Sequence, residues 1–393
     1  MAHDNKKVVL KGQAAIELWL QGKEAWNKWV EENPVADVSF REVDFTKFEG
    51  VLFTGYKFPT GTVDFSLARF NEDRAICPNK QLANIQVNFS HAHFGDGDVD
   101  FSGAMFGISD VLFLQTQFGA GRVSFSGVTL AKGLVNFSNA HFGDGNVNFS
   151  GSRFNKAEVL FLNTQFGNGD IDFFDARFVG DVFFSGSKFD NGDVTFNRAR
   201  FSNGNISFAS TQFEKGNVRF IDTDFGDGNV RFSFTQFGDG HVSFYEAKLR
   251  GNITHFDNAK FGKGYVNFSR AIFGGGDIDF SRTDFGEGSV NFSFSIFNQG
   301  EVSFSSSKVT GNFGFANIDG ADKIRSLSFK HATFDGSVDL DNNNFNCVPD
   351  FTNTKLSHQL NLSHFTVIPR TKNKDKLASK LFIGLKKLGL AKS

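Results

Sequence analysis

The chain has 393 residues with a formal net charge of −2; 54 are phenylalanine and 42 glycine, against 3 tyrosines, 3 tryptophans and 5 prolines. With 40% apolar residues it can bury a core, which excludes a disordered chain, and the concentration on one residue type points to a repeating core slot. No run of 18 apolar residues exists to cross a membrane, and Cys77 and Cys347 are too few for a disulfide framework. The opening MAHDNKKVVL has no secretory apolar region, so a cytoplasmic location is expected. Residues 1–34 read as a helical cap. Within LKGQAAIELWLQGKEAWNKWVEE, Leu18, Trp19, Trp26, Trp29 and Val30 share one helical face, interrupted at Gly22 and stopped at Asn33-Pro34.

Residues 35–368 carry a period. Central phenylalanines recur at a spacing of 12 from Phe89 to Phe173 and, after the loss of one residue, again from Phe184 to Phe304. The unit is V-x-F-S-x-A-x-F-G-x-G-x, with apolar sites at relative positions 1, 3, 6 and 8. A helix separates sites 1 and 3 by about 200°. Strands place 1 with 3 and 6 with 8, with a change of phase between the pairs. Each unit is therefore two short strand-like blocks, with one turn at S-x and another at G-x-G-x, where glycine is expected to supply positive φ.

Blocks such as VDFSG, AMFGI, VNFSN and AHFGD resemble the pentapeptide-repeat family, whose block is A-(D/N)-(L/F)-x-x. The resemblance spans roughly residues 36–365 and extends to EAWNKWVEENP, which is similar to leader segments of bacterial members. It implies an all-β fold, a right-handed quadrilateral parallel β-helix with four blocks to a coil. The additional G-x after every second block sets an expected coil length of 24, enlarged at two opposite corners. Residues 87–134 match 135–182 at an offset of 48, two coils. Residues 223–252 match 283–312 at an offset of 60, two and a half coils, so the two halves of a coil should be nearly interchangeable. About 13 coils at about 4.8 Å give a rod of about 60 Å.

Two stretches are irregular. At 71–86, NEDRAICPNKQLANIQ is read as replacing a half-coil with a loop while coil phase is kept, because Phe65 and Phe89 are still 24 apart. At 309–326 the pattern breaks and returns with a spacing of 11 at Phe329, Leu340, Phe351 and Leu362. Residues 369–393 then form a basic amphipathic helix. Leu377, Leu381, Leu385 and Leu388 lie on one side, opposite Lys376, Lys380, Lys386 and Lys387. From Arg370 onward the charge is +7, leaving −9 on the body. Such a segment suits a cap, a homodimer contact or an anionic membrane surface.

No catalytic constellation emerges, and no enzyme, cofactor or metal site is expected. Corners such as GDGDVDF and GNGDIDF invite calcium, but the aspartate wanders and the period is 12, which suits solvated turn residues. His91, His93, His141, His241 and His255 recur in the array; His93 and His141 share a column with Gln117 between them, too far apart for one metal ion and suited to a polar ladder. The serines after phenylalanine are copies of one turn position, and the glycines recur without opening a helix. Outward columns supply the only binding clues. Arg153, Arg177 and Arg200 occupy equivalent positions on successive coils, a candidate site for an anionic group. Leu112, Leu114, Leu160 and Leu162 replace polar residues and could form an apolar patch. The expected function is a rigid, non-catalytic scaffold that binds another protein through its elongated surface. By resemblance to the quinolone-resistance branch, a type II topoisomerase is an alternative partner, met by mimicry of DNA, without direct nucleic-acid binding. A membrane-associated effector using the C-terminal helix is the other alternative.

Overall fold

One regular coil shows how the repeat becomes structure. Val147–Asn148, Arg153–Phe154, Ala157–Leu160 and Gln165–Phe166 are four successive short strands, one on each face of the coil. Val147 then pairs in parallel with Ile171 of the following coil, Arg153 with Arg177, Val159 with Val182 and Gln165 with Lys188. The four faces are numbered here in that order. Repetition of this coil makes a parallel β-solenoid of about 14 turns. The computed structural model describes residues 7–48, 51–70 and 85–368. Two compact units are distinguished, Met1–Thr195 and Phe196–Ser393.

The inward positions form columns. In the first unit Phe65, Phe101, Phe125, Phe149 and Phe173 stack along the first face with centroids 4.9–5.0 Å apart and ring planes within 6°. Phe89, Phe113, Phe137, Phe161 and Phe184 do the same along the third face at 4.6–5.1 Å. The two columns meet edge-on, as in Phe113–Phe125 at 5.4 Å and 82°. The second unit repeats the arrangement, with Phe244–Phe268 stacked at 4.7 Å and Phe244–Phe256 edge-on at 5.4 Å. Backbone pairing sets neighbouring strands about 4.8 Å apart, so each ring lands on its counterpart in the coil before. Edge-to-face contacts of this kind add about 0.5–1.5 kcal/mol per pair beyond area burial.

The small inward position mostly carries Ala, Ser or Thr, with exceptions such as Tyr56, Val128 and Asn343. A hydroxyl there turns onto the phenylalanine carbonyl of the coil below: Thr116 Oγ1 donates to Phe89 O at 2.8 Å, Thr164 Oγ1 to Phe137 O at 2.8 Å and Ser152 Oγ to Phe125 O at 2.7 Å. These three buried hydroxyls are thereby satisfied, whereas Ser307 Oγ, buried in the same position, has no partner among the described residues. In V-x-F-S the variable residue caps its own turn, as Asn136 Oδ1 accepts from Ser138 N and Asn148 Oδ1 from Ser150 N.

Positive φ occurs in the narrow turn, two residues after the central phenylalanine, at His91, Gln115, Asn139 and Asn163. The glycines of G-x-G-x, expected to supply it, do so at Gly226 and Gly286 but not at corners such as Gly119–Gly121 and Gly143–Gly145. In the regular wide corners glycine is needed because consecutive coils approach backbone to backbone. A Cβ on Gly121 would overlap the carbonyl of Gly97, and one on Gly145 that of Gly121.

The first irregular stretch also differs from the sequence reading. Val63 pairs with Val99 and Val51 with Val87, in each case at an interval of 36 instead of 24. Phe65 stacks on Phe101, and Phe89 meets Phe65 edge-on at 5.4 Å and 83° from the opposite face. One coil is therefore lengthened by 12 residues, 36 against 24, instead of having a half-coil replaced. Equal spacing concealed this because either half of a coil presents the same phenylalanine. Residues 71–84 themselves lie outside the described residues. Near the other end, Val338 pairs with Leu360, an interval of 22 that is twice the spacing of 11. A one-turn 3-10 helix, Ala321–Lys323, and a bulge at Arg325, skipped as Gly300 pairs with Ile324 and Glu301 with Ser326, occupy the break before it.

In the first unit two helices precede the coils, α1 (Gln13–Leu20) and α2 (Lys23–Glu32). Trp19 stacks on Phe53 at 5.6 Å, and Trp26 on Phe40 at 5.9 Å. Their indole N–H groups donate to Leu52 O and Lys57 O, so both rings lie over the first coil with their polar edge satisfied.

Two substitutions test this packing. Phe137 is 1% exposed and stacked on both sides, so Phe137→Ala should cost about 3–5 kcal/mol in urea unfolding. Gly121→Ala should cost about 1–3 kcal/mol although it adds only one methyl group, because the coils cannot part locally.

Candidate interaction surface

Residues that alternate with the core point outward, and register lines them up from coil to coil. On the fourth face of the first unit, Lys57, His93, Gln117, His141, Gln165 and Lys188 are consecutive parallel partners. All six are exposed, and His141 Nδ1 lies 3.2 Å from Gln165 Oε1. His93 and His141 thus stand two coils apart with Gln117 between them, as the sequence reading placed them. That reading missed the extension to Lys57, Gln165 and Lys188. The signal was available: each is the residue immediately before a core phenylalanine in an A-x-F type block.

The arginines are distributed differently. Arg153 and Arg177 are direct register partners and both are exposed. Arg200 opens the corresponding strand of the second unit, where its partner is Asp224. Asp224 also takes the Arg250 guanidinium at 2.9 Å, and Asp222 takes Lys248 at 3.4 Å. Arg200, Asp224 and Lys248 therefore alternate in sign along this face, which continues with Ile272 and Ile296.

Leu112 and Leu160 lie in one third-face column, separated by Asn136, which pairs with both. Leu114 and Leu162 occupy the next column, with Ser138 in the intervening coil. All four leucines are half-buried, and Leu160 is followed by Phe183. The apolar character comes as two islands, one on each side of a polar coil. The candidate helix residues Leu377, Leu381, Leu385, Leu388, Lys380, Lys386 and Lys387 lie outside the described residues.

The wandering aspartates have an assigned role. In GDGDVDF, Asp96 Oδ1 accepts from Ala120 N, Asp98 Oδ1 from Arg122 N and Asp100 Oδ1 from Ser102 N. Asn146, Asp170 and Asn217 serve the corner position the same way. His241 Nδ1 accepts from Tyr265 N at 2.9 Å. The corner needs an acceptor for a backbone N–H of the next coil, and any short acceptor serves, which is why aspartate is interchangeable with asparagine or histidine. Among the described residues no three or more His, Cys, Asp or Glu side chains are grouped to hold a metal ion, and no helix is long and apolar enough to cross a membrane. Cys347 is a partly covered thiol whose burial pushes its pKa up to about 11.

A second surface went unnoticed in the sequence. On the first face of the second unit, Arg219 pairs with Ser243 and Ser243 with Asn267. His241 and Tyr265 flank that column on one side, Ile221 and Tyr245 on the other. Tyr265 is 36% exposed, and Phe294, two coils on from Glu246 in the same turn position, is 58% exposed. Isolated aromatic residues in a polar array carry no periodic signature, so nothing in the repeat marked them.

Neither a scan against descriptions of known protein families nor a search of curated proteins finds a match for this chain.

The Arg122 side chain holds the Asp98 carboxyl below its usual range, at 2.7 Å from Nη2. A depressed carboxylate contributes stability that is present above its unfolded pKa of about 4 and is lost as pH falls through the folded value. Asp98→Asn keeps the acceptor for Arg122 N and loses the charge. It should therefore lose less stability than the native chain between about pH 7 and about pH 3 in urea unfolding.

Proposed function

We propose that the chain is a non-catalytic scaffold of the pentapeptide-repeat kind that binds another protein through the outward columns of its coils. The repeat blocks, four strands to a coil and phenylalanine in the central position support the family reading; the coil length of 24 is its departure from the usual block count. The observation that carries the binding role is the column from Lys57 to Lys188, six exposed polar side chains held in one register. A solenoid presents such a column already ordered, so a partner lying along it meets fixed donors and acceptors without the entropy cost of arranging them. Its two histidines and two glutamines suit a partner segment rich in backbone amides and carbonyls, while its two lysines are held by Glu31 at 3.1 Å and Asp190 at 2.8 Å. The column contains no acid, so a DNA-mimicking role toward a type II topoisomerase draws no support from it.

The test is affinity capture from native lysate with the full chain beside a His93→Ala, Gln117→Ala, His141→Ala triple variant. These are exposed side chains, and the variant should unfold in urea within about 0.5 kcal/mol of the native chain. A partner retained by the native chain should be depleted at least about ten-fold by the variant, which corresponds to about 1.4 kcal/mol of binding. A partner retained equally by both removes this column from the proposal.

A further inference from the structure

On the second face of the first unit a group of cations stands without counter-charge. Arg153 and Arg177 are direct register partners, both exposed, and the rings one residue on, Phe154 and Phe178, stack at 5.2 Å. The two guanidiniums therefore leave neighbouring strands about 4.8 Å apart. Lys132 and Lys156 lie beyond them toward the third face in consecutive coils, since Ala157, next to Lys156, pairs with Gly133. Both lysines are exposed, and among the described residues no acid pairs with either of them or with either arginine. Like charges held opposite one another destabilise a sheet. At the same position the second unit sets Asp224 between Arg200 and Lys248, where it also takes the Arg250 guanidinium at 2.9 Å. The fold thus has a way to neutralise such a column, and the first unit leaves it unused.

The arrangement favours one kind of anion. Two guanidiniums at one strand spacing converge on a single group with several oxygens, and Arg binds phosphate through paired, parallel hydrogen bonds. A phosphomonoester carries a charge of about −2 at neutral pH, which the pair matches. A row of phosphates would need the cationic column to continue, but before Arg153 it passes to Thr129 and then to Met105. An anionic bilayer would meet Glu158, exposed two residues after Lys156, and Asp175, two residues before Arg177. Thr129 adds a hydroxyl and Asn155 an amide beside the pair. Approach is open from the first-face side, where the turns carry Gly127 and Gly151 and nothing lies within 4 Å of where a side chain would start. The pair stands on an open strand face, whereas a small ligand is held by a cavity that buries most of it. A chain segment that carries the phosphate supplies the missing contact area.

We propose that Arg153 and Arg177 bind the phosphomonoester of a phosphoserine or phosphothreonine in an extended segment of a partner protein, with Lys156 as the outer charge. The site lies on a different face from the Lys57–Lys188 column and stands or falls without it.

Fluorescence anisotropy on the full chain tests it, with a labelled Gly-Ala-phosphoserine-Ala-Gly peptide beside its serine counterpart. At low salt the phosphopeptide should bind at least about ten-fold more tightly than the serine peptide. An Arg153→Gln, Arg177→Gln variant should abolish that difference, and Arg153→Lys, Arg177→Lys should keep part of it. Arg270→Gln, at an exposed position of the second unit, should keep it in full. All these side chains are exposed, so the variants should unfold at the urea midpoint of the native chain. Equal binding of both peptides by the native chain, or a difference that survives in the double Gln variant, overturns the proposal. Inorganic phosphate that binds as tightly as the phosphopeptide overturns it in favour of a small anion. Arginine-dependent binding of a single-stranded oligonucleotide or of phosphatidylserine vesicles, tighter than that of the phosphopeptide, overturns it in favour of a nucleic acid or a membrane.

Discussion

Parallel backbone pairing holds successive coils about 4.8 Å apart, and almost every side-chain choice follows from that one distance. It is close to the separation at which aromatic rings stack, and the phenylalanines of the first and third faces use it, at 4.6–5.1 Å in the first unit. It is also too short for a Cβ where two backbones run directly over one another, which calls for glycine at corner positions such as Gly121 and Gly145. At the remaining positions the same spacing brings each N–H within reach of a short acceptor in the coil before it, so Asp, Asn and His come to share one role. Core, corners and surface are three answers to one geometric condition.

That condition explains why so much of the fold is legible in residue order alone. A repeat prints its constraints many times: the spacing of 12 defines the half-coil, and the four blocks to a coil implied by the family resemblance turn it into a coil of 24, with which the offsets of 48 and 60 agree. What could not be read has equally physical causes. Glycine has two uses, conformational freedom and absence of bulk, and sequence does not say which one a corner needs; Gly121 and Gly145 need the second. The inserted stretch after Phe70 was misplaced because two near-identical halves make a shift of half a coil invisible in sequence; the pairing of Val63 with Val99 and the stacking of Phe65 on Phe101 resolve it.

The candidate surface was less legible. Outward positions in a solenoid are selected one by one, and a residue such as Tyr265 gives no periodic sign of itself. His93 and His141 were found because they interrupt a pattern; Gln165 and Lys188, chemically ordinary in an exposed strand, were not. Arg200 illustrates the opposite failure. Its equivalence to Arg177 is visible in sequence, yet its partner Asp224 changes the electrostatic character of the position.

The interchangeable halves have a consequence for how such a chain can vary. Insertion or loss of one whole coil within a unit leaves every later side chain on its original face. A change of half a coil is accepted equally well by the core, because one phenylalanine column substitutes for the other, but it turns everything downstream through half a revolution. Residues that faced one direction then face the opposite one. The matched segments 223–252 and 283–312, at their offset of 60, stand in that relation: Phe232 follows a third-face strand and Phe292 a first-face strand. The fold thus separates two kinds of inheritance, one that preserves the display and one that reverses it, while the interior registers no difference.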